Sequence, residues 1–136
     1  MRITRIETFK FWVDWMNWLF VRIDTDEGLC GWGEGSLHGA VESVETAVCE
    51  YAPHLIGQDP AGPERHWHRL YHAWRWRGGA VLSTALSALD IALWDLEGKR
   101  LAARYFIGWE LPSQRHALNL LERVDRTVYD ASPAQL

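Results

Sequence analysis

Cysteine is nearly missing from this 136-residue chain. Cys30 and Cys49 stand alone, with neither the spacing of a metal site nor the partners for a disulfide framework. Reduced, buried thiols in a cytoplasmic protein are the expectation. Surplus positive charge is missing too. Fourteen Lys and Arg face eighteen Asp and Glu, giving a net charge of −4 and a pI near 5.8. No electrostatic footprint for nucleic acid is present. Long apolar runs are also absent. Glu7, Lys10 and Asp14 interrupt the N-terminal stretch, where a secretory signal would need about 7–15 apolar residues in a row. Nothing approaches the roughly 18 consecutive apolar residues of a membrane span. Neither nucleic acid nor membrane is expected as a partner, and no internal repeat or low-complexity tract appears.

Tryptophan is what the chain has in excess. There are nine, concentrated at Trp12, Trp15 and Trp18 and again at Trp67, Trp74 and Trp76. Nearly half the residues are apolar and about a quarter charged, which is globular composition. A chain of this length buries roughly two-thirds of its unfolded surface, enough for a core without staples.

Ile3 to Phe11 is rich in Ile, Thr and Phe and reads as a strand. In Leu19–Thr25, Leu19, Val21 and Ile23 share one face while Arg22 and Asp24 share the other. Asp26-Glu27-Gly28 supplies turn chemistry, with Gly28 free to take a positive φ, and Leu29–Glu34 follows as a third strand. So short a turn makes the pair antiparallel. From Ala40 the period changes: Val41, Val44, Val48 and Tyr51 recur at helical steps, closed by Pro53. Asp59-Pro60 is a helix-start signal, although Pro63 leaves the first residue open. Trp67, Leu70, Tyr71 and Trp74 line the face of a second helix. A third runs from about Ala80 to Leu101, so widely apolar (Leu82, Ala85, Leu86, Leu89, Leu93, Trp94, Leu96) that it must be buried between other elements. Strands first and helices afterwards is α+β order: a three-stranded antiparallel meander followed by a helical bundle. Beyond Leu101 the rhythm fades. Tyr105–Ile107 is a candidate strand, Ala117–Val124 a candidate helix, and Ala131–Leu136 a ragged tail.

Four features are candidates for chemistry. Gly31-Trp32-Gly33-Glu34-Gly35-Ser36 has three alternate glycines, but a dinucleotide fingerprint needs G-x-G-x-x-G between a parallel strand and its helix. The spacing is wrong and the preceding strand belongs to a hairpin, so the glycines are expected to permit close approach of a backbone or ligand, thinning the strand end before the first helix. His68 and His72 form an i, i+4 pair beside His66, a spacing that can hold zinc, yet no third ligand is evident. Solvated or stacked histidines are expected. Asp90, Asp95 and Glu97 lie on the most apolar helix, where perturbed acids invite a catalytic reading. Asp90 and Asp95 point about 140° apart at 3.6 residues per turn, so salt bridges or caps are expected instead. Finally, the aromatics of Phe11–Trp18 are either core plugs or a mobile loop that closes over a small molecule. Composition leaves these two readings open.

Several stretches together resemble one family. Leu19–Gly28 followed by Gly31-Trp32-Gly33-Glu34, then His54–Pro60, Arg77-Gly78-Gly79 and Ala88–Lys99, follow the order of the mandelate racemase/muconate lactonizing enzyme group of the enolase superfamily. The flavour is that of acid-sugar dehydratases of the galactonate dehydratase type. The resemblance implies that residues 1–101 form the N-terminal capping domain that precedes a (β/α)-barrel. In that family the barrel does the chemistry. A lysine or histidine abstracts the proton α to a carboxylate, and Mg²⁺ held by three acidic residues stabilises the enediolate. The capping domain supplies two loops that select the substrate, mapped here to Phe11–Trp18 and the segment around Ser36–Gly39. Trp15, Trp18, Glu34 and His38 are then the expected substrate-facing residues, and the pocket-lid reading of the tryptophans is favoured.

A barrel needs about 250 residues. Residues 102–136 form either a divergent tail or a truncated start of a barrel, as a shortened or frameshifted gene would produce. No catalytic residue and no metal ligand of the family maps onto the chain. The expectation is an inactive capping fragment, with no cofactor of its own and an acid-sugar substrate only if a barrel is supplied. The alternative is an interaction module that self-associates through the barrel-facing surface or docks on an intact homologue.

Overall fold

A computed structural model of the chain describes residues 1–13, 15–101 and 125–130. Three strands open it: β1 (Ile3–Val13), β2 (Met16–Thr25) and β3 (Cys30–Glu34). Helices α1 (Val41–Tyr51), α2 (Pro63–Ala73) and α3 (Ala80–Arg100) follow. The meander and the α+β order are as expected. One strand is additional: β4 (Asp125–Asp130) pairs antiparallel with β1, giving the sheet order β3-β2-β1-β4. The candidate strand at 105–107, the candidate helix at 117–124 and the tail at 131–136 lie outside the described residues.

Sheet polarity follows from the alternation. Leu19, Val21 and Ile23 are completely buried, and the cross-strand pairs Ile6↔Ile23, Thr8↔Val21 and Lys10↔Leu19 put β1 residues on the same helix-facing side. Two of these β1 residues are polar, and α1 satisfies them. Thr8 Oγ1 donates to Glu45 Oε1 at 2.7 Å, and Lys10 Nζ meets both Glu42 and Glu45 at 2.6 Å. Burial disfavours the Lys10 ammonium, but its hydrogen bonds to Glu42 and Glu45 prevail and hold it above the ordinary range.

The wide apolar surface of α3 has the expected consequence. It packs on β3 and β2 while α1 and α2 pack on it. Ala85, Leu86, Ala88, Leu89, Ala92, Leu93 and Leu96 are buried, whereas Leu82 and Trp94 are only half-buried. Asp59-Pro60 does not start the second helix. Asp59 Oδ1 accepts from Ala61 N at 3.1 Å, closing a turn, and the helix begins at Pro63 after a left-handed Gly62. Pro63 at a first helical position needs no N–H partner.

The glycines of Gly31–Gly35 are explained by α3. A Cβ on Gly31 would stand 2.1 Å from the Ala92 carbonyl oxygen, and one on Gly33 would stand 1.9 Å from that of Ala88. At Gly35 the nearest atom would be Ala88 Cβ, at 3.0 Å. Helix α3 therefore lies directly on the backbone of β3, with alanines on its contact side. The space that a phosphate would need is filled by protein.

Helix α3 also closes the sheet edge. Among the described residues no strand lies beyond β3, and an edge leaves a row of backbone groups unpaired. Asp95 Oδ2 accepts from Trp32 N at 2.8 Å, Lys99 Nζ donates to the Cys30 carbonyl at 2.7 Å, and the two side chains meet at 2.6 Å. The i, i+4 pair thus occupies both kinds of edge group. The structural expectation for Asp95 holds, and its neighbours on the helix do different things. Glu97 makes a surface pair with Arg100, which lowers its pKa. The Asp90 carboxyl is pushed up by burial and, second, by Glu64.

Candidate site at the hairpin tip

The Phe11–Trp18 stretch is not an irregular loop. Phe11↔Trp18, Trp12↔Asn17 and Val13↔Met16 are all paired, so β1 and β2 run on as a two-stranded arm whose tip holds Trp15. This corrects the loop expectation: aromatic and β-branched residues suit a pleated surface, and they prolong the ladder. Trp12 and Trp15 are 65% and 67% exposed, so neither is a core plug.

Opposite the arm, the chain leaves β3 and is fastened to β2 before it reaches α1. Gly35 N donates to the Leu19 carbonyl at 2.9 Å, and Leu19 N donates to Ser36 Oγ at 3.0 Å. With Ser36 anchored, His38 lies under the arm, its ring 5.2 Å from that of Trp15 and tilted by 55°. Trp15 and His38 therefore form one aromatic rim from two separate segments. Trp18 is half-buried and has a different setting. It is near-parallel to Phe20 at 6.2 Å, and Phe20 stacks on Phe11 at 5.3 Å. Glu34 pairs across the sheet with Phe20 and so shares that face; it is exposed at the end of β3. The four expected residues thus divide into a rim pair, Trp15 and His38, and two members of the sheet face, Trp18 and Glu34.

Two contributors lie outside the four expected residues. Ser36 places the second segment through its hydroxyl, and Phe20 extends the aromatic ladder. The signal for Phe20 was its position in phase with Arg22 and Asp24, where a lone aromatic among charges marks a face that is not simply solvated.

The other candidates hold no ligand geometry. His68 and His72 are exposed, each edge-on at 5.4 Å to the ring before it, Trp67 and Tyr71 respectively. Among the described residues no three His, Cys, Asp or Glu side chains converge on a metal position. The described residues offer no ligand set that fits Mg²⁺. A shallow hollow lined by Thr4, Arg5, Arg22, Asp24 and Gly28 opens at the opposite end of the strands. Its Arg5 and Arg22 are already paired with Asp24 and Glu7. No helix among the described residues is long and apolar enough to cross a membrane.

Comparison with known proteins agrees with this architecture. Residues 12–104 match the N-terminal domain of the mandelate racemase/muconate lactonizing enzyme family. D-galactonate dehydratases from Xanthomonas euvesicatoria pv. vesicatoria and Verminephrobacter eiseniae are 46% and 48% identical over 101 residues. Each alignment covers 74% of this chain and 26% of the relative. Among solved structures, an enolase from Pantoea ananatis with bound D-gluconate and Mg has a TM-score of 0.70 at 37% identity. It is matched over 74% of this chain and 25% of its own. An enolase from Agrobacterium radiobacter with bound Na and L-malate has a TM-score of 0.71 at 35% identity, over 74% and 26% of the two chains. The chain spans about a quarter of the length of these relatives. It belongs to the mandelate racemase/muconate lactonizing enzyme family of the enolase superfamily and carries that family's N-terminal domain.

Proposed function

We propose that residues 1–101 are the substrate-selecting cap of a Mg²⁺-dependent acid-sugar dehydratase of the D-galactonate type. The observation that carries this reading is the rim: an exposed Trp15 on a paired arm, in ring contact with His38 on a segment fastened to β2. Such a rim shapes the mouth of a pocket and excludes water without itself touching the reacting atoms. Proton abstraction and Mg²⁺ binding belong to a barrel, so the 136-residue polypeptide by itself turns over no acid sugar, and a small acid sugar is its ligand only when a barrel is supplied.

The test is a chimera in which residues 1–101 replace the corresponding part of the X. euvesicatoria D-galactonate dehydratase, assayed for 2-keto acid from D-galactonate with Mg²⁺. The chimera is expected to be active and the 136-residue chain inactive. A folded but inactive chimera, or turnover by the chain alone, would sink the proposal. A second reading, self-association through the barrel-facing surface, is favoured by the exposure of Trp12 and Trp15. Sedimentation showing only monomer at high concentration rules it out.

A further inference from the structure

A second aromatic surface lies away from the rim, at the junction of α2 and α3. Residues 64–79 carry Arg65, Arg69, Arg75 and Arg77 against one carboxylate, Glu64, in a chain whose net charge is −4. Elsewhere among the described residues, Arg5, Lys10, Arg22, Lys99 and Arg100 each meet a carboxylate. None of the four junction arginines does. Arg65 donates to the Ala61 carbonyl at 3.0 Å, and Arg77 lies 5.8 Å over the Tyr71 ring. Arg69 and Arg75 are exposed and make no hydrogen bond or ion pair among the described residues. No carboxylate among the described residues therefore neutralises either charge.

The aromatics beside them are held rather than loose. Trp67 stacks on Tyr71 at 4.9 Å, and Trp74 meets Tyr51 of α1 edge-on at 6.2 Å. Two residues after Trp74, Trp76 stands with 80% of its surface exposed. Tryptophan, tyrosine and arginine are the residue types that dominate binding energy at protein interfaces. The planar arginine fork also matches a carboxylate through two parallel hydrogen bonds. The ridge carries no lysine, the residue that interfaces tend to exclude.

We propose that this ridge is a protein-docking surface that takes an acidic segment of another chain, with carboxylates on Arg75 and Arg77 and an apolar side chain against Trp74 and Trp76. It is independent of the rim and of the proposed dehydratase role. The experiment uses the full 136-residue chain and a short fluorescein-labelled peptide rich in glutamate with interspersed phenylalanine, read by anisotropy. Saturable binding is expected, weakening as salt rises, with none for the same peptide carrying glutamine in place of glutamate. The double reversal Arg75→Glu/Arg77→Glu is expected to weaken it by about tenfold or more, through lost attraction and new repulsion. Trp76→Ala, at a position that contributes little to the core, is expected to weaken it as well with the circular dichroism spectrum unchanged. Equal binding by both variants overturns the proposal. So does capture of the chain by phosphatidylserine vesicles without peptide binding, which would make the ridge a lipid surface. Salt-sensitive self-association without peptide binding, abolished by the same reversal, overturns it in favour of a second copy.

Discussion

Substituting alanine for Gly33 tests the packing of α3 on β3 directly. The new methyl would sit 1.9 Å from the Ala88 carbonyl oxygen and 3.0 Å from the Ala92 nitrogen. Both are backbone atoms, so no rotamer change relieves the clash, and α3 must retreat from β3 by roughly 1 Å or more to restore contact distances near 3.5 Å. Retreat stretches the hydrogen bonds from Trp32 N to Asp95 and from Lys99 to Cys30, now 2.8 and 2.7 Å. It also thins the dispersion contacts along the whole interface. Overpacking costs about 1–3 kcal/mol, and weakening two charge-assisted hydrogen bonds adds roughly 1–3 kcal/mol. The gain from a stiffer unfolded chain, about 0.4–1 kcal/mol, offsets little of this. The expected loss is about 1–5 kcal/mol, a fall in Tm of roughly 4–25 °C, measured by urea and thermal unfolding. Gly28→Ala is the contrast: its Cβ meets nothing within 4 Å and only the positive φ of 81° opposes it, a cost of about 1 kcal/mol. A rescue experiment separates the causes. Ala88→Gly should suppress the cost of Gly35→Ala, whose contact is Ala88 Cβ, and should not suppress that of Gly33→Ala, whose contact is a carbonyl. A Gly33→Ala protein within ~3 °C of the parent would refute the reasoning, since typical shifts run at several degrees per kcal/mol.

Three further outcomes are expected. Asp95→Ala frees Trp32 N–H at the sheet edge and leaves Lys99 without its carboxylate. It should cost about 1–3 kcal/mol and speed amide exchange at Trp32, whereas unchanged exchange there would contradict an edge cap. His66 is 2% exposed; its Nε2–H donates to the Asp59 carbonyl at 2.7 Å, and its Nδ1 has no partner among the described residues. Burial, aided by Arg65 and Arg69, holds its pKa below 6.5. The unfolded chain therefore binds the extra proton first, so this contribution is fully present above about pH 6.5 and is lost as pH falls through the folded value. His66→Gln should flatten stability against pH in that window, and an unaltered slope would exclude His66 as its origin. In the chimera described above, Trp15→Ala is expected to raise KM for D-galactonate about tenfold with a smaller change in kcat, the signature of binding lost equally in ground and transition states. A fall in kcat alone would place Trp15 elsewhere in the mechanism.

Local chemistry by itself determined a good deal of this protein. The alternation of Leu19, Val21 and Ile23, the turn at Gly28 and the helical steps of Val41, Val44, Val48 and Tyr51 each reappear in the fold, because period and turn residues act within a few positions. The order of motifs was enough to point to the family. Tertiary contact decided what those periods leave open. The glycines of Gly31–Gly35 were legible as room for close approach of a backbone or ligand, but that α3 is what lies on them came from the fold, since no spacing rule names a partner about 60 residues away. A salt bridge or cap was legible for Asp95, but the same distance hid the sheet edge that it and Lys99 cover. Pairing of Trp12 with Asn17 turned an expected loop into an arm, since strand extension depends on the register of both strands together. Ring contact between Trp15 and His38 likewise required the fastening of Ser36 to Leu19. Sequence period sets which face a residue occupies, but packing of distant segments sets what that face meets, and the candidate site is made of such meetings.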